Sequence, residues 1–278
     1  MPSVNSLRFC LRILLVLWPA GLLGQSFTIV SWNIQDLGRS KDARELGRMA
    51  EILKDYDLIA IQEVVAKDPA GAKAVAQLAD LLNRSGANWD YRISDPTRSP
   101  SPYISERYAF LWKKRAFRLK SPPRLDTQLA ERCFREPYLA KFMHLKSQQA
   151  FWLVNFHARK HDQQPEIEIN ALSEMPGRFA EAPLILAGDF NVYQQDKIWQ
   201  IFYNQHYQSA LHKIPTTLKR KCSKGQYFLH PIDNILFPDA FHKVSAERID
   251  FVQDCRSLSA ARGLSDHAPV MVQLEAKD

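Results

Sequence analysis

Leu184-Ile185-Leu186-Ala187-Gly188-Asp189-Phe190-Asn191 reads as a buried strand that ends in two short polar side chains. Asp189 and Asn191 stand at i and i+2, a spacing that points both to one side of an extended backbone. A packed strand holds such groups in a fixed geometry. An acid beside a carboxamide suits a divalent cation and a phosphate oxygen. On these eight residues alone, a strand followed by an Asp/Asn turn is an equal alternative.

Working outward, other apolar runs end the same way. Phe151-Trp152-Leu153-Val154-Asn155-Phe156 leads to His157. Ile29-Val30-Ser31-Trp32 leads to Asn33, and Leu58-Ile59-Ala60-Ile61-Gln62 leads to Glu63. Asp266 and His267 stand just before Pro269-Val270-Met271-Val272. One polar strand end means little, but five that carry metal-ligand or acid/base groups are hard to explain as turns. Further strands are predicted at 89–93, 107–112, 138–145 and 232–237.

Helical spacing marks 41–54, through Ala43, Leu46, Met49, Ala50 and Leu53, and marks 70–84 more clearly. Helices are also predicted at 165–174, opening with Pro165, and near 195–203. The Pro- and Ser-rich segment 94–103 is expected to be an exposed loop. Strands outnumber helices, and helices follow strands in both halves. That order predicts an α/β fold, a four-layer sandwich of two packed β-sheets with outer helices.

Bulk properties allow one large globular α/β domain or two small ones. The chain has 278 residues, 46% hydrophobic and 24% charged, with no repeat or low-complexity tract. Residues 1–24 have the form of a secretory signal: Arg8 and Arg12, an apolar core from Leu11 to Leu23, then Gly24-Gln25-Ser26. The alternative is an uncleaved anchor, although the apolar core is short for a membrane span. Cleavage leaves residues 25–278, secreted or periplasmic, with the net charge reduced from +7 to +5 by the loss of two arginines and no acid. A moderately basic exported domain favours polyanions. Cys133, Cys222 and Cys255 remain, enough for one intramolecular disulfide, for which Cys222–Cys255 is the expected pair.

The strand-end groups supply what phosphodiester hydrolysis needs. Glu63 is a hard oxygen ligand for Mg²⁺ or Mn²⁺, Asn33 offers an amide oxygen, and Asp266 a second carboxylate. A metal ion so placed polarises a phosphoryl oxygen. His157 and His267 are candidates for base and acid, in either assignment. Carboxylates beside them would orient the rings.

Further motifs are Glu106-Arg107-Tyr108-Ala109-Phe110-Leu111, Arg135-Glu136-Pro137, Asp233 and Ser265-Asp266-His267. With Trp32-Asn33, Gln62-Glu63, His157 and Gly188-Asp189-Phe190-Asn191, they give a chain that resembles the endonuclease/exonuclease/phosphatase superfamily over about residues 27–274. Within it, Glu-Arg-Tyr and Arg-Glu-Pro make the chain most similar to the deoxyribonuclease I branch. The resemblance implies two His–carboxylate pairs, His157 with Glu106 and His267 with Asp233. It implies that Asp189 and Asn191 hold the scissile phosphate, the water or a metal, and that Arg135 contacts phosphate. It implies Glu63 as ligand of the catalytic metal, with Asn33 and Asp266 assisting, and Ca²⁺ as a structural or assisting ion. It also implies DNA as partner, held mainly through its phosphate backbone, 5′-phosphate products, and a monomer with no stable membrane association after signal cleavage.

The chain departs from the branch at two places. Gln35 and Val65 stand where deoxyribonuclease I has DNA-contacting arginines. Arg39, Lys41, Arg159 and Lys160 are candidate substitutes, giving affinity without sequence preference. Val192-Tyr193 replaces the segment that carries a disulfide cysteine in the animal enzymes. The departures keep a second reading open, a phosphodiesterase or phosphatase of the same superfamily acting on a phospholipid or inositol phosphate. A third reading, a binding module without catalysis, conflicts with the complete set of histidines and carboxylates.

Overall fold

The computed structural model describes residues 25–101 and 103–277. The expected signal segment, residues 1–24, lies outside the described residues. In chain order the elements are β1 (Phe27–Leu37), α1 (Ala43–Leu53), β2 (Leu58–Val65), α2 (Ala70–Arg84), β3 (Trp89–Ile93), β4 (Glu106–Lys113), β5 (Phe117–Leu119) and β6 (Arg124–Leu125). There follow β7 (Tyr138–His144), β8 (Ala150–His157), α3 (Glu166–Leu172), α4 (Met175–Arg178), β9 (Leu184–Asp189), α5 (Gln200–Tyr203) and β10 (Tyr207–Ser209). The last are β11 (Leu218–Ser223), β12 (Gln226–Phe228), β13 (Asp233–Pro238), β14 (Phe241–Arg248), α6 (Leu258–Leu264) and β15 (Val270–Ala276).

Two large mixed sheets form, with strand orders β14-β15-β1-β2-β4-β3 and β10-β13-β9-β8-β7-β5. Their inner faces share an aromatic-rich core that includes Phe27, Phe110, Phe142, Phe151, Phe237 and Phe241. Phe27 stacks on Phe151 at 5.4 Å and meets Phe117 edge-on at 5.3 Å, each pair adding about 0.5–1.5 kcal/mol beyond area burial. The outer face of the first sheet packs on α1, α2 and α6. The outer face of the second packs on α3, α4 and α5. The expected four layers are therefore observed.

Local chemistry explains where these elements begin. Asp42 caps α1 by accepting from Glu45 N–H, and the Glu45 carboxylate accepts from Asp42 N–H, a reciprocal capping box. That leaves Leu46, Met49, Ala50 and Leu53 on the buried face. In α2, the Ala74, Val75, Leu78, Ala79 and Leu82 stripe does the same.

Several segments differ from the sequence reading. The helix expected near 195–203 is a 3₁₀ turn followed by the single turn α5. The helix expected at 165–174 is observed as α3, and an unannounced single turn, α4, follows it. The strand β14 and the hairpin β11–β12 have mostly polar, exposed residues, so no apolar run announces them. Among the described residues, no helix is long and apolar enough to cross a membrane.

Candidate active site

The ends of strands from both sheets meet at one edge of the sandwich. β8 and β9 run parallel with His157 opposite Asp189, and β13 runs antiparallel to β9 with Asp233 opposite the same Asp189. Three neighbouring strands therefore present one row: His157, Asp189, Asp233. Gly188 makes this row feasible. A Cβ on Gly188 would overlap the carbonyl oxygen of Phe156, so a larger residue would force β8 and β9 apart beside both functional groups.

The facing sheet supplies the complementary groups. Glu106 opens β4, and His267 lies just before β15. His157 Nδ1–H donates to Glu106 at 2.9 and 3.1 Å. His267 Nδ1–H donates to Asp233 at 2.9 and 3.0 Å. Each pair thus joins one sheet to the other. The remaining ring nitrogens converge on a single atom: Nε2 of His157 and of His267 lie 3.5 and 3.7 Å from Asp189 Oδ2.

The electrostatics follow from burial and neighbours. Burial disfavours ionised Glu106, but the charges of His157 and Arg135 outweigh it and hold the carboxyl below its ordinary value. Burial and Arg135 both oppose protonation of His157, yet Glu106 and Asp189 prevail and raise it. Burial also opposes a charged His267, but Asp233, Asp189 and Asp266 hold it well above the ordinary imidazole value. Asp189 is raised, chiefly by burial and by Asp233, against the pull of both imidazoles and the Asn33 amide.

Asn33 and Glu63 form a second focus. The Asn33 amide donates to Glu63 Oε1 at 2.9 Å and to Asp189 Oδ2 at 3.1 Å. Its own oxygen, Oδ1, is buried without a hydrogen-bond partner. A buried amide oxygen left unpaired beside a carboxylate fits a hard divalent cation. Glu63 reaches this position through irregular backbone. Its φ is 61°, in the left-handed region, where the β1–β2 and β2–β4 registers both shift. A bulge of this kind re-aims a side chain at a site. Asp266 is set apart: its carboxylate is 31% exposed and lies 4.0 Å from His267 Nε2 and 3.9 Å from Arg262. Asp189, Asp233 and His267 also bring one donor atom each within 4.8 Å of one another, a cluster able to hold a metal ion. Both Asp233 oxygens already accept from His267, however, which suits that group better to orienting the ring.

Two expected residues sit differently from their reading. Asn191 is not on an extended continuation of β9. Its φ is 52°, its N–H donates to Asp189 Oδ1, and its amide donates to the Ala158 carbonyl. The chain turns there, and Asn191 braces Asp189 and the His157 end of β8. Arg135 is buried, with Nε 2.9 Å from Glu106 Oε2 and Nη1 donating to the Ala158 carbonyl. Its contacts within the fold go to orienting Glu106. It also lines a cleft of 330 Å³ with Glu63, Glu106, Lys67, Tyr103 and Lys160.

Of the four candidate substitute cations, only Lys160 lines that cleft. Arg39 pairs with Asp68, and Arg159 pairs with buried Glu168 while stacking on Phe134. Lys41 bonds the Gly263 carbonyl.

Sequence reading missed several supports. Thr216 donates to Asp233 Oδ2 at 2.5 Å. Ser265 Oγ donates to the Asn33 carbonyl at 2.6 Å and accepts from His267 N–H, pinning the His267 segment to β1. The Tyr108 hydroxyl accepts from His157 N–H. Gln62 and Asn155 bridge the two sheets directly below the site at 2.6 Å. His161, Tyr193 and His230 stack in a ladder on the Asn191 side. Ser265, Tyr108, Gln62, Asn155 and Tyr193 stand in stretches quoted above without a role, whereas Thr216, His161 and His230 lie outside them. The Cys222–Cys255 disulfide is present, with Cα atoms 5.6 Å apart.

Comparison with known proteins agrees with this geometry. A deoxyribonuclease of Thioalkalivibrio sp. (strain K90mix) is 30% identical over 197 residues, covering 67% of this chain and 52% of the relative. The chain thus spans about half the length of that relative. Among solved structures, an endonuclease/exonuclease/phosphatase from Bacteroides vulgatus superposes with TM-score 0.67 at 17% identity, over 91% of this chain and 99% of the other. A mannosyl-6-phosphatase from Bacteroides thetaiotaomicron gives TM-score 0.60 at 16% identity, over 89% and 99%. These two show a shared fold. The sequence pattern of the Endonuclease/Exonuclease/phosphatase family matches residues 30–267, nearly the whole described chain, and the protein belongs to that family.

Proposed function

We propose that the chain is a metal-dependent endonuclease that hydrolyses DNA phosphodiester bonds with little sequence specificity and leaves 5′-phosphate ends. One observation carries this reading: two carboxylate-buttressed imidazoles present Nε2 within 3.7 Å of one Asp189 oxygen. That arrangement provides proton transfer on both sides of a bound phosphate. One Nε2 takes a proton from the attacking water, whose oxygen bonds phosphorus. The other returns a proton to the leaving 3′ oxygen as its P–O bond breaks. Asp189 aligns the two rings, and Asn33 fixes Asp189. Asn33 Oδ1 and Glu63 would hold Mg²⁺ or Mn²⁺, with Asp266 at the rim, and the bound ion would neutralise charge on a phosphoryl oxygen.

Export to a periplasm or the exterior belongs to the same reading. It is supported by the form of residues 1–24 and by the Cys222–Cys255 disulfide, which persists in oxidising compartments. A monomer acting on DNA through its phosphates is the expected working state.

His157→Ala and His267→Ala should each leave the fold intact and lower plasmid nicking by at least about 10²-fold. Near wild-type nicking in either variant would refute the proton-transfer roles. EDTA should abolish activity, and Mg²⁺ or Mn²⁺ should restore it; full activity in chelator would refute the metal assignment. Gln35 and Val65, which offer no cation, favour a second reading on phospholipid or inositol phosphate substrates. Comparing plasmid DNA with sphingomyelin and inositol polyphosphates separates the two.

A further inference from the structure

The hairpin β11–β12 stands outside both large sheets. Its sequence is Leu218-Lys219-Arg220-Lys221-Cys222-Ser223-Lys224-Gly225-Gln226-Tyr227-Phe228, and residues 197–232 around it contain six Lys or Arg and no Asp or Glu. Arg220, Lys221 and Lys224 are exposed and Lys219 is half-buried. The acids of the neighbouring loop already have partners. Asp250 accepts from Tyr227 and Asp254 pairs with Arg256. The Tyr227 hydroxyl is neutral, so Asp250 keeps its charge, but Lys219, Arg220, Lys221 and Lys224 outnumber it and the hairpin presents a net local positive charge.

The root of this hairpin is bonded to the active site. Thr217 bridges His267, Leu218 N–H donates to the Asp266 carbonyl at 2.7 Å, and Ala268 N–H donates to the Thr216 carbonyl. Its position is fixed at several points. The Cys222–Cys255 disulfide ties it to the loop before α6, and the Arg248 guanidinium lies 3.4 Å over the Phe228 ring. Lys224 and Gly225, with φ of 52° and 77°, form a tight turn of the type that suits a twisted hairpin. At roughly 3.3 Å per residue, Lys219 to Lys221 lie about 7–13 Å along the strand from His267. That is a span of about two to four base pairs of duplex at 3.4 Å each.

We propose that this disulfide-anchored basic hairpin is the arm that grips the DNA phosphate backbone on the His267 side of the cleavage point. The proposal rests on the nuclease reading and adds to it the surface that replaces the cations missing at Gln35 and Val65. Its cations carry no hydrogen-bonding pattern that selects bases, so the grip is indifferent to sequence.

The test is the variant Lys219→Ser/Arg220→Ser/Lys221→Ser/Lys224→Ser in the full chain. Binding of a fluorescein-labelled 20-base-pair duplex is measured in EDTA across a salt series. Hydrolysis of bis(p-nitrophenyl) phosphate with Mn²⁺ and nicking of plasmid DNA are measured beside it. The slope of log K against log salt should fall by about 3–4, at about 0.9 per phosphate contact, with at least about tenfold weaker binding at 100 mM salt. Hydrolysis of the small diester should be unchanged, and the KM for plasmid should rise. Should the fourfold variant fold poorly, Lys221→Glu alone should lower the slope by about 2. An unchanged slope and affinity would overturn the arm. Wild-type protein that binds duplex through the hairpin but cuts only the small diester would instead overturn the nuclease reading.

Discussion

The two His–carboxylate pairs have the same outline and different surroundings. Glu106 and His157 join β4 to β8, while Asp233 and His267 join β13 to the segment before β15, so each pair closes the two sheets on one another. Glu106 is buttressed by a buried guanidinium, Arg135, at 2.9 Å. Asp233 is buttressed by a neutral hydroxyl, Thr216, at 2.5 Å. The cation tempers the first pair, because it favours ionised Glu106 while opposing a charge on His157. The second pair has no such cation, and Asp189 and Asp266 add negative potential, so His267 holds its proton more firmly. Two rings with the same partner type are thereby made unequal, which is what acid and base roles at one phosphate require.

Substitutions that exchange these buttresses break or sharpen the contrast. Arg135→Met should have the largest effect, destabilising by about 3–5 kcal/mol in urea unfolding, because it strips a buried ion pair of one partner. An NMR titration of that variant should show His157 rising, since Arg135 opposes its charge; a fall would refute the stated balance. Asp233→Asn should lower nicking by about 10²-fold and bring His267 down towards the ordinary imidazole value. The sign of its stability effect is fixed by linkage. His267 is raised in the folded state, so its pairing stabilises fully below about pH 6.5 and is lost as pH rises through the folded value. The stability gap between wild type and Asp233→Asn should therefore close on the alkaline side. Glu106 is lowered, so its contribution is present above about pH 4.5 and is lost as pH falls through the folded value. The gap for Glu106→Gln should close in acid instead, and thermal melts from pH 3 to 10 would read both edges. Thr216→Val should be the mildest, costing about 1–3 kcal/mol because the hydroxyl donates to the Asp233 carboxylate and accepts from the Ile232 and Asp233 amides. If Thr216→Val matched Asp233→Asn in nicking, the hydroxyl would be more than a buttress.

Much of the site was legible because strand ends announce themselves. Gly188-Asp189, His157 and Asn33 each close an apolar run, and a polar group buried at the end of such a run needs partners of its own. The pairings His157–Glu106 and His267–Asp233 came from resemblance, and the structure places both within 3.1 Å. Thr216 left no comparable trace, because a hydroxyl in a polar loop looks alike whether it faces solvent or a buried carboxylate. The turn at Asn191 was hidden for a related reason. Alternation along a strand says where side chains would point if the strand continued, and φ of 52° shows that it does not. Arg135 was expected from resemblance to contact phosphate, whereas its observed contact with Glu106 depends on a neighbour 29 positions away.

What the sequence by itself determined was the layering and the chemical inventory. Strand and helix periodicities need only local residues, and the layers follow because each apolar face must be covered. What only the tertiary structure decided was which groups share a proton and which amide oxygen is left unpaired. Those depend on distances of about 3 Å between residues 30 to 235 positions apart. Hydrogen bonds and buried charges act over just such distances, so only the closure of the two sheets could set them.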